Sequence, residues 1–229
     1  MIVNQAYRFA LDPTPAQVRA LASHAGASRT AFNWALRLVK AQCDQRDAER
    51  SYGLTGDELM PFVSWSQPAL RKRWNEVKAE VAPWWAENSK EAYAAGIRNV
   101  VRGLDAWRDS KTGKRKGPPV RFPRFESKRR DTGSCTFTTG AMRIEPDRRH
   151  VHLPRLGVLR LHESARTLAR RIEAGTARIL SATVKREGGR WFVAGPVAAK
   201  RPPGTASAGK TGTVPPQGGT ADRVQTKAH

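Results

Sequence analysis

The chain has 229 residues, with 41 Lys and Arg against 20 Asp and Glu, so its formal net charge is +21 at pH 7 and its pI is about 11.2. That length suits one large domain or two small ones. The charge points to a polyanionic partner, since each phosphate a cation neutralises releases a counterion. Nucleic acid ranks ahead of an anionic membrane, for which a basic amphipathic helix is missing.

Cys43 and Cys135 exclude a disulfide framework, and neither belongs to a Cys-x-x-Cys pair suited to zinc. No stretch reaches the ~18 apolar residues of a membrane span, and "MIVNQAYRFALDPTP" is no signal peptide. The expectation is a cytoplasmic protein with no membrane partner.

In chain order, "IVNQAYRFAL" alternates Val3, Tyr7, Phe9 and Leu11 on one face, which predicts a strand that Asp12-Pro13 ends. Thr14, Pro15 and Gln17 then form a capping-box start to a helix reaching Gly26. A second helix is expected through "SRTAFNWALRLVKAQC", so the pair resembles a helix-turn-helix, a weak signal shared by any helical hairpin. After a loop at "SYGLTGDELMPF", Ser66 caps a helix carrying Leu70, Trp74, Val77 and Val81. Another runs from about Trp84 to Trp107 with Tyr93, Ile97, Val100 and Leu104 as its core stripe. Residues 14–109 therefore predict a four-helix bundle, with Arg29, Arg37, Lys40, Lys72, Arg73 and Arg98 on its polar faces.

Beyond residue 133 the period falls to two in "SCTFTTGAMRIEP", "HVHLPRLGVLRLH", "ARILSATVKR" and "RWFVAG", which predicts about five strands over 134–200. A lone first strand needs partners, and these are the ones available. The expected fold class is α+β: a β-barrel or curled sheet interrupted by a helical insertion. Residues 201–229 hold two large apolar residues, Val214 and Val224, among Gly and Pro, and are expected to be a disordered tail.

Between bundle and strands, residues 110–133 form a basic linker around "KTGKRKGPPVRFPRFESKRR". Lys111, Lys114, Arg115, Lys116, Arg121, Arg124, Lys128, Arg129 and Arg130 face a lone acid, Glu126, and enclose Phe122 and Phe125. Prolines favour an extended backbone there, the cations suit phosphates, and the rings suit anchoring to the fold or stacking on bases. His150, His152 and His162 lack a third ligand at suitable spacing, and "GTASAGKTGT" lacks the strand and helix of a phosphate loop.

The ordered segments "MIVNQAYRFALDPTPAQ", "AGASRTAFNWAL", "GPPVRFPRFESKRR", "HVHLPRLG" and "ILSATVKREGGRWFV" resemble signatures of the insertion-sequence OrfB/TnpB proteins. The resemblance, from Met1 to about Val193, implies the front half of an RNA-guided DNA endonuclease. That half is an oligonucleotide-binding-like wedge barrel interrupted by a recognition bundle, and it grips structured guide RNA and target DNA. By motif position, Tyr52 and Lys90 would approach the motif beside the target. Cutting in the family belongs to an RNase H-like domain with two divalent metal ions on carboxylates, and a zinc ribbon accompanies it.

After Trp191 the sequence offers Asp222 as its one carboxylate side chain, whereas two-metal cleavage needs several converging. The sequence therefore reads as a truncated family member without catalytic residues, metal or other cofactor of its own, which binds nucleic acid through Lys72, Arg73, Lys90, Arg98 and the basic stretch. The rival expectation is a sequence-specific helix-turn-helix regulator or transposase accessory protein working through residues 14–41.

Overall fold

The computed structural model describes residues 2–62, 64–129, 133–138 and 142–200. The expected tail and Arg130 lie outside the described residues. Strand β1 (Ile2–Ala10) leads into three α-helices, α1 (Pro15–Ser51), α2 (Gln67–Val81) and α3 (Lys90–Lys111). Seven strands and a short helix follow: β2 (Ser134–Phe137), β3 (Arg143–Ile144), β4 (His150–Leu153), β5 (Gly157–Arg160), α4 (Arg166–Glu173), β6 (Ala177–Ile179), β7 (Ala182–Glu187) and β8 (Arg190–Lys200). The order of strand, helices and strands stands as expected, and the class is α+β.

The capping box forms as the sequence predicts. Gln17 N–H donates to Thr14 Oγ1 and Thr14 N–H donates to Gln17 Oε1. The helix does not stop at Gly26, however; α1 runs unbroken for 37 residues. Glycine inside a helix costs about 1 kcal/mol against Ala, a penalty that packing can outweigh. Here Ala25, Ala27, Ser28, Ala31 and Ala35 are buried and bring α1 against α3. At the closest point a Cβ on Gly96 would lie 2.0 Å from Ser28 O. The bundle thus has three α-helices rather than four, and α3 starts at Lys90, because Trp85–Glu87 form a separate 3-10 turn.

His24 ties the bundle's end together from within. Its Nδ1 lies 2.9 Å from Ala20 O, which can only accept, so Nδ1 carries the proton. Nε2 accepts from Ser89 N–H at 3.1 Å. Burial pushes the His24 pKa below its ordinary value, and Arg155 nearby adds to that.

The strands form two antiparallel sheets and not a closed barrel. One runs β1-β8-β7-β2 with β6 also on β8, and the other is β3-β4-β5. They meet at an isolated bridge, Leu11 to Leu161, where Asp12-Pro13 ends β1 before a ladder can extend. The long β8 changes partner halfway, from β7 at residues 190–194 to β6 at 197–199. Gly195 marks the change: a Cβ there would meet Ser181 O at 2.0 Å. One continuous core joins Phe137, Leu153, Leu159, Leu161, Val184 and Val193 of the sheets to Leu21, Leu36, Trp74, Ile97 and Leu104 of the bundle.

Candidate nucleic-acid interface

Residues 112–129 contain no regular helix or strand, yet they are pinned. Arg115 N–H donates to Asp109 O at 3.0 Å, and Val120 N–H donates to Ser110 Oγ at 2.9 Å. Phe122 packs edge-on against Trp107, with ring centroids 5.0 Å apart. Pro123 presses on Gly103, where a Cβ would come within 3.1 Å of the proline ring. Asn33 on α1 then grips the backbone of Glu126 twice, its Nδ2 donating to the carbonyl at 2.9 Å and its Oδ1 accepting from N–H at 2.8 Å. The segment is a strap crossing from the end of α3 to the middle of α1, not a free linker.

The strap's charge stays available. Lys114, Arg115, Lys116, Arg121, Arg124, Lys128 and Arg129 are exposed, and none of them pairs with a described carboxylate. The two phenylalanines divide the roles open to them: Phe122 is half-buried against the core, whereas Phe125 is 48% exposed. Lys111 ends α3, 5.5 Å from the Trp107 ring centroid.

The remaining candidates spread along the bundle. Lys72 and Arg73 lie on α2, and half-buried Arg98 lies on α3, close enough to Cys135 to act on it electrostatically. Lys90 stands at the first turn of α3, beside Ser89 and hence beside His24. Tyr52, 86% exposed, caps the opposite end of α1, about 40 Å from His24 at 1.5 Å per residue. The structure therefore does not bring Tyr52 and Lys90 to one place.

Lys90 has other company that the sequence reading did not single out. Arg71, Lys78 and Arg155 line with it a cleft of about 510 Å³ that also holds Trp85 and Asn88. Lys78 Nζ sits 4.0 Å from the Trp85 ring centroid. Asn88 is buried beside the Tyr93 hydroxyl, which donates to Trp85 O at 3.2 Å. Arg155 takes a left-handed backbone, φ 66°, in the turn after β4. Its position in "HVHLPRLG" was the available signal.

No three His, Cys, Asp or Glu side chains converge to hold a metal ion among the described residues. The metal ions implied by the resemblance find no ligand set there. No described helix is long and apolar enough to cross a membrane.

These features define an α+β protein with a cation-rich strap laid over a helical bundle. Residues 1–47 match the helix-turn-helix domain model of the IS605 OrfB family; in this chain they form β1 and most of the unbroken α1. Two relatives from Mycobacterium tuberculosis, strains CDC 1551 / Oshkosh and ATCC 25618 / H37Rv, are provisionally named RNA-guided DNA endonucleases. Each is 43% identical over 205 residues, 86% of this chain and 43% of the relative. The chain belongs to the insertion-sequence OrfB/TnpB family. It spans less than half the length of these relatives.

Proposed function

We propose that this chain grips nucleic acid through the strap and the cations beside Lys90, with structured guide RNA as the first ligand and target DNA as the second. In that reading its helices and open sheets serve as the recognition bundle and wedge of an RNA-guided nuclease. Cutting is assigned to none of the described residues. The observation that carries the reading is the strap itself: seven exposed cations, Lys114 to Arg129, on a pinned backbone and with no ion pair to a described carboxylate. Fixed cations suit a phosphate backbone, because the ordering cost is met by the protein's own contacts.

The test is a titration of the full chain with the structured transcript of its own genetic element and with an unrelated RNA of equal length. Affinity for the transcript should fall by on the order of a thousand-fold between about 50 and 200 mM salt. No affinity for either RNA at moderate salt overturns the reading.

A further inference from the structure

A second cleft, of about 1090 Å³, opens beside the strap between the far half of α1, Phe62 with residues 64–67, and the end of α3. It is built differently from the strap. Phe62, Trp65, Trp107 and Phe122 make an aromatic row, with successive ring centroids 5.3, 6.5 and 5.0 Å apart. Trp65 Nε1–H donates to Asp105 at 3.3 Å, which fixes the middle ring.

The cations around the row fall into two groups. Lys40, Arg50 and Arg108 each pair with a carboxylate, respectively Asp44, Asp47 and Asp105. Arg46 and Lys111 make no ion pair with a described carboxylate, and they stand near opposite ends of the row. Arg46 lies 6.0 Å from the Phe62 centroid and Lys111 lies 5.5 Å from that of Trp107. Elsewhere the chain seats cations much closer to rings, 4.0 Å for Arg8 on Phe192 and for Lys78 on Trp85. Arg108, paired with Asp105, lies 5.9 Å from the Trp65 centroid, so every cation beside this row stands further off than those two.

We infer that the cleft takes one unpaired nucleotide of a single strand. Its base lies on the aromatic row, of which Phe62 is exposed and the other rings are part-buried, and its two neighbouring phosphates meet Arg46 and Lys111. Every base has a π-face, so an aromatic row accepts any unpaired base, while a base inside a duplex cannot present that face. Arg46 Nη1–H also donates to Met60 O at 2.5 Å, which holds the guanidinium at the mouth. The strap continues directly from Lys111, so a strand leaving the cleft runs onto the exposed cations. The inference rests on the proposed nucleic-acid function and adds a single-strand site to it.

The test measures binding of the full chain to labelled unstructured RNA and DNA oligonucleotides and to a duplex of the same length. The variants are Phe62→Ala and Arg46→Gln, both at exposed or half-exposed positions outside the strap, with circular dichroism to verify folding. Each variant should lose about ten-fold in single-strand affinity and keep its duplex affinity. The RNA and DNA arms show which kind of strand supplies the nucleotide. Unchanged single-strand binding, or an equal loss on the duplex, overturns the single-strand site and leaves the proposed function standing. A native chain that binds neither strand nor duplex overturns the single-strand site, and one that also fails to bind the structured transcript overturns both.

Discussion

Helix α3 and the strap that follows it are held to the same bundle by opposite means. Most of the first half of α3 is buried, and Tyr93, Ile97, Val100 and Leu104 continue its core stripe. The strap part-buries Val120, Phe122, Pro123 and Glu126 and otherwise hangs on hydrogen bonds between its backbone and the side chains of Ser110 and Asn33. A helix held by its side chains spends them on the core. A strap held largely by its backbone leaves its cationic side chains outside the core. Position and charge are therefore separable in the strap and not in α3.

The largest effect expected is at Gly96. A Cβ there would stand 2.0 Å from Ser28 O, and the obstacle is backbone in a long helix that cannot swing aside. Gly96→Ala should destabilise the chain by about 3 kcal/mol or more, the upper end of overpacking costs. Urea unfolding measures this, and a midpoint shift of less than ~1 kcal/mol would show that α1 and α3 can part easily.

Next comes the strap's charge. Arg121, Arg124, Lys128 and Arg129 replaced together by Ala should leave the unfolding midpoint within about 0.5 kcal/mol, as for other surface changes. RNA affinity should drop by roughly ten- to a hundred-fold, with a shallower salt dependence because fewer phosphates are neutralised. A large loss of stability in this variant would break the separation of position from charge.

The two phenylalanines sharpen the same contrast. Phe122→Ala removes the edge-on partner of Trp107 and should cost about 2–3 kcal/mol, less than a fully buried Phe. Phe125→Ala should cost less than about 0.5 kcal/mol, because nearly half of that residue is exposed. Any affinity lost at Phe125 then reports contact with the ligand, and equal stability losses at the two sites would refute the assignment.

Much of this was legible in the sequence. The Thr14–Gln17 box, the Leu70–Trp74 and Tyr93–Leu104 stripes and the return to strands after residue 133 all follow from local patterns. The unbroken α1 did not, because local propensity reads Gly26 as a stop while distant Gly96 supplies the packing that carries the helix through. Nor did α4, whose "RTLARRIE" lies between strand signals. Closure of the sheets was misread for a related reason: alternation gives strands and not their partners, and β8 divides one edge between β6 and β7. Among candidate contacts, the strap's cations were visible as composition, while Asn33 lies 93 residues from the Glu126 backbone it holds. Such a partner has no sequence signal.

The smallest effect expected is one of pH, and it tests the end of the bundle where Lys90 sits. His24 is neutral in the fold, because Nε2 accepts the Ser89 N–H and Nδ1 donates to Ala20 O. Burial holds its folded pKa below the ordinary 6.5. Below about pH 6.5 the unfolded chain therefore binds more protons than the folded one, so stability is full above that value and falls as the pH drops toward the folded pKa. The shifted carboxylates Glu49, Asp147 and Glu187 have pKa values lowered from ordinary values of 4.5 or less, so they titrate beneath this window. Urea midpoints at about pH 7.5 and 5.5 should differ more for the native chain than for His24→Gln, whose amide can still donate and accept but does not titrate. The same difference in both proteins would mean that His24 does not set the acid sensitivity of this end of the bundle.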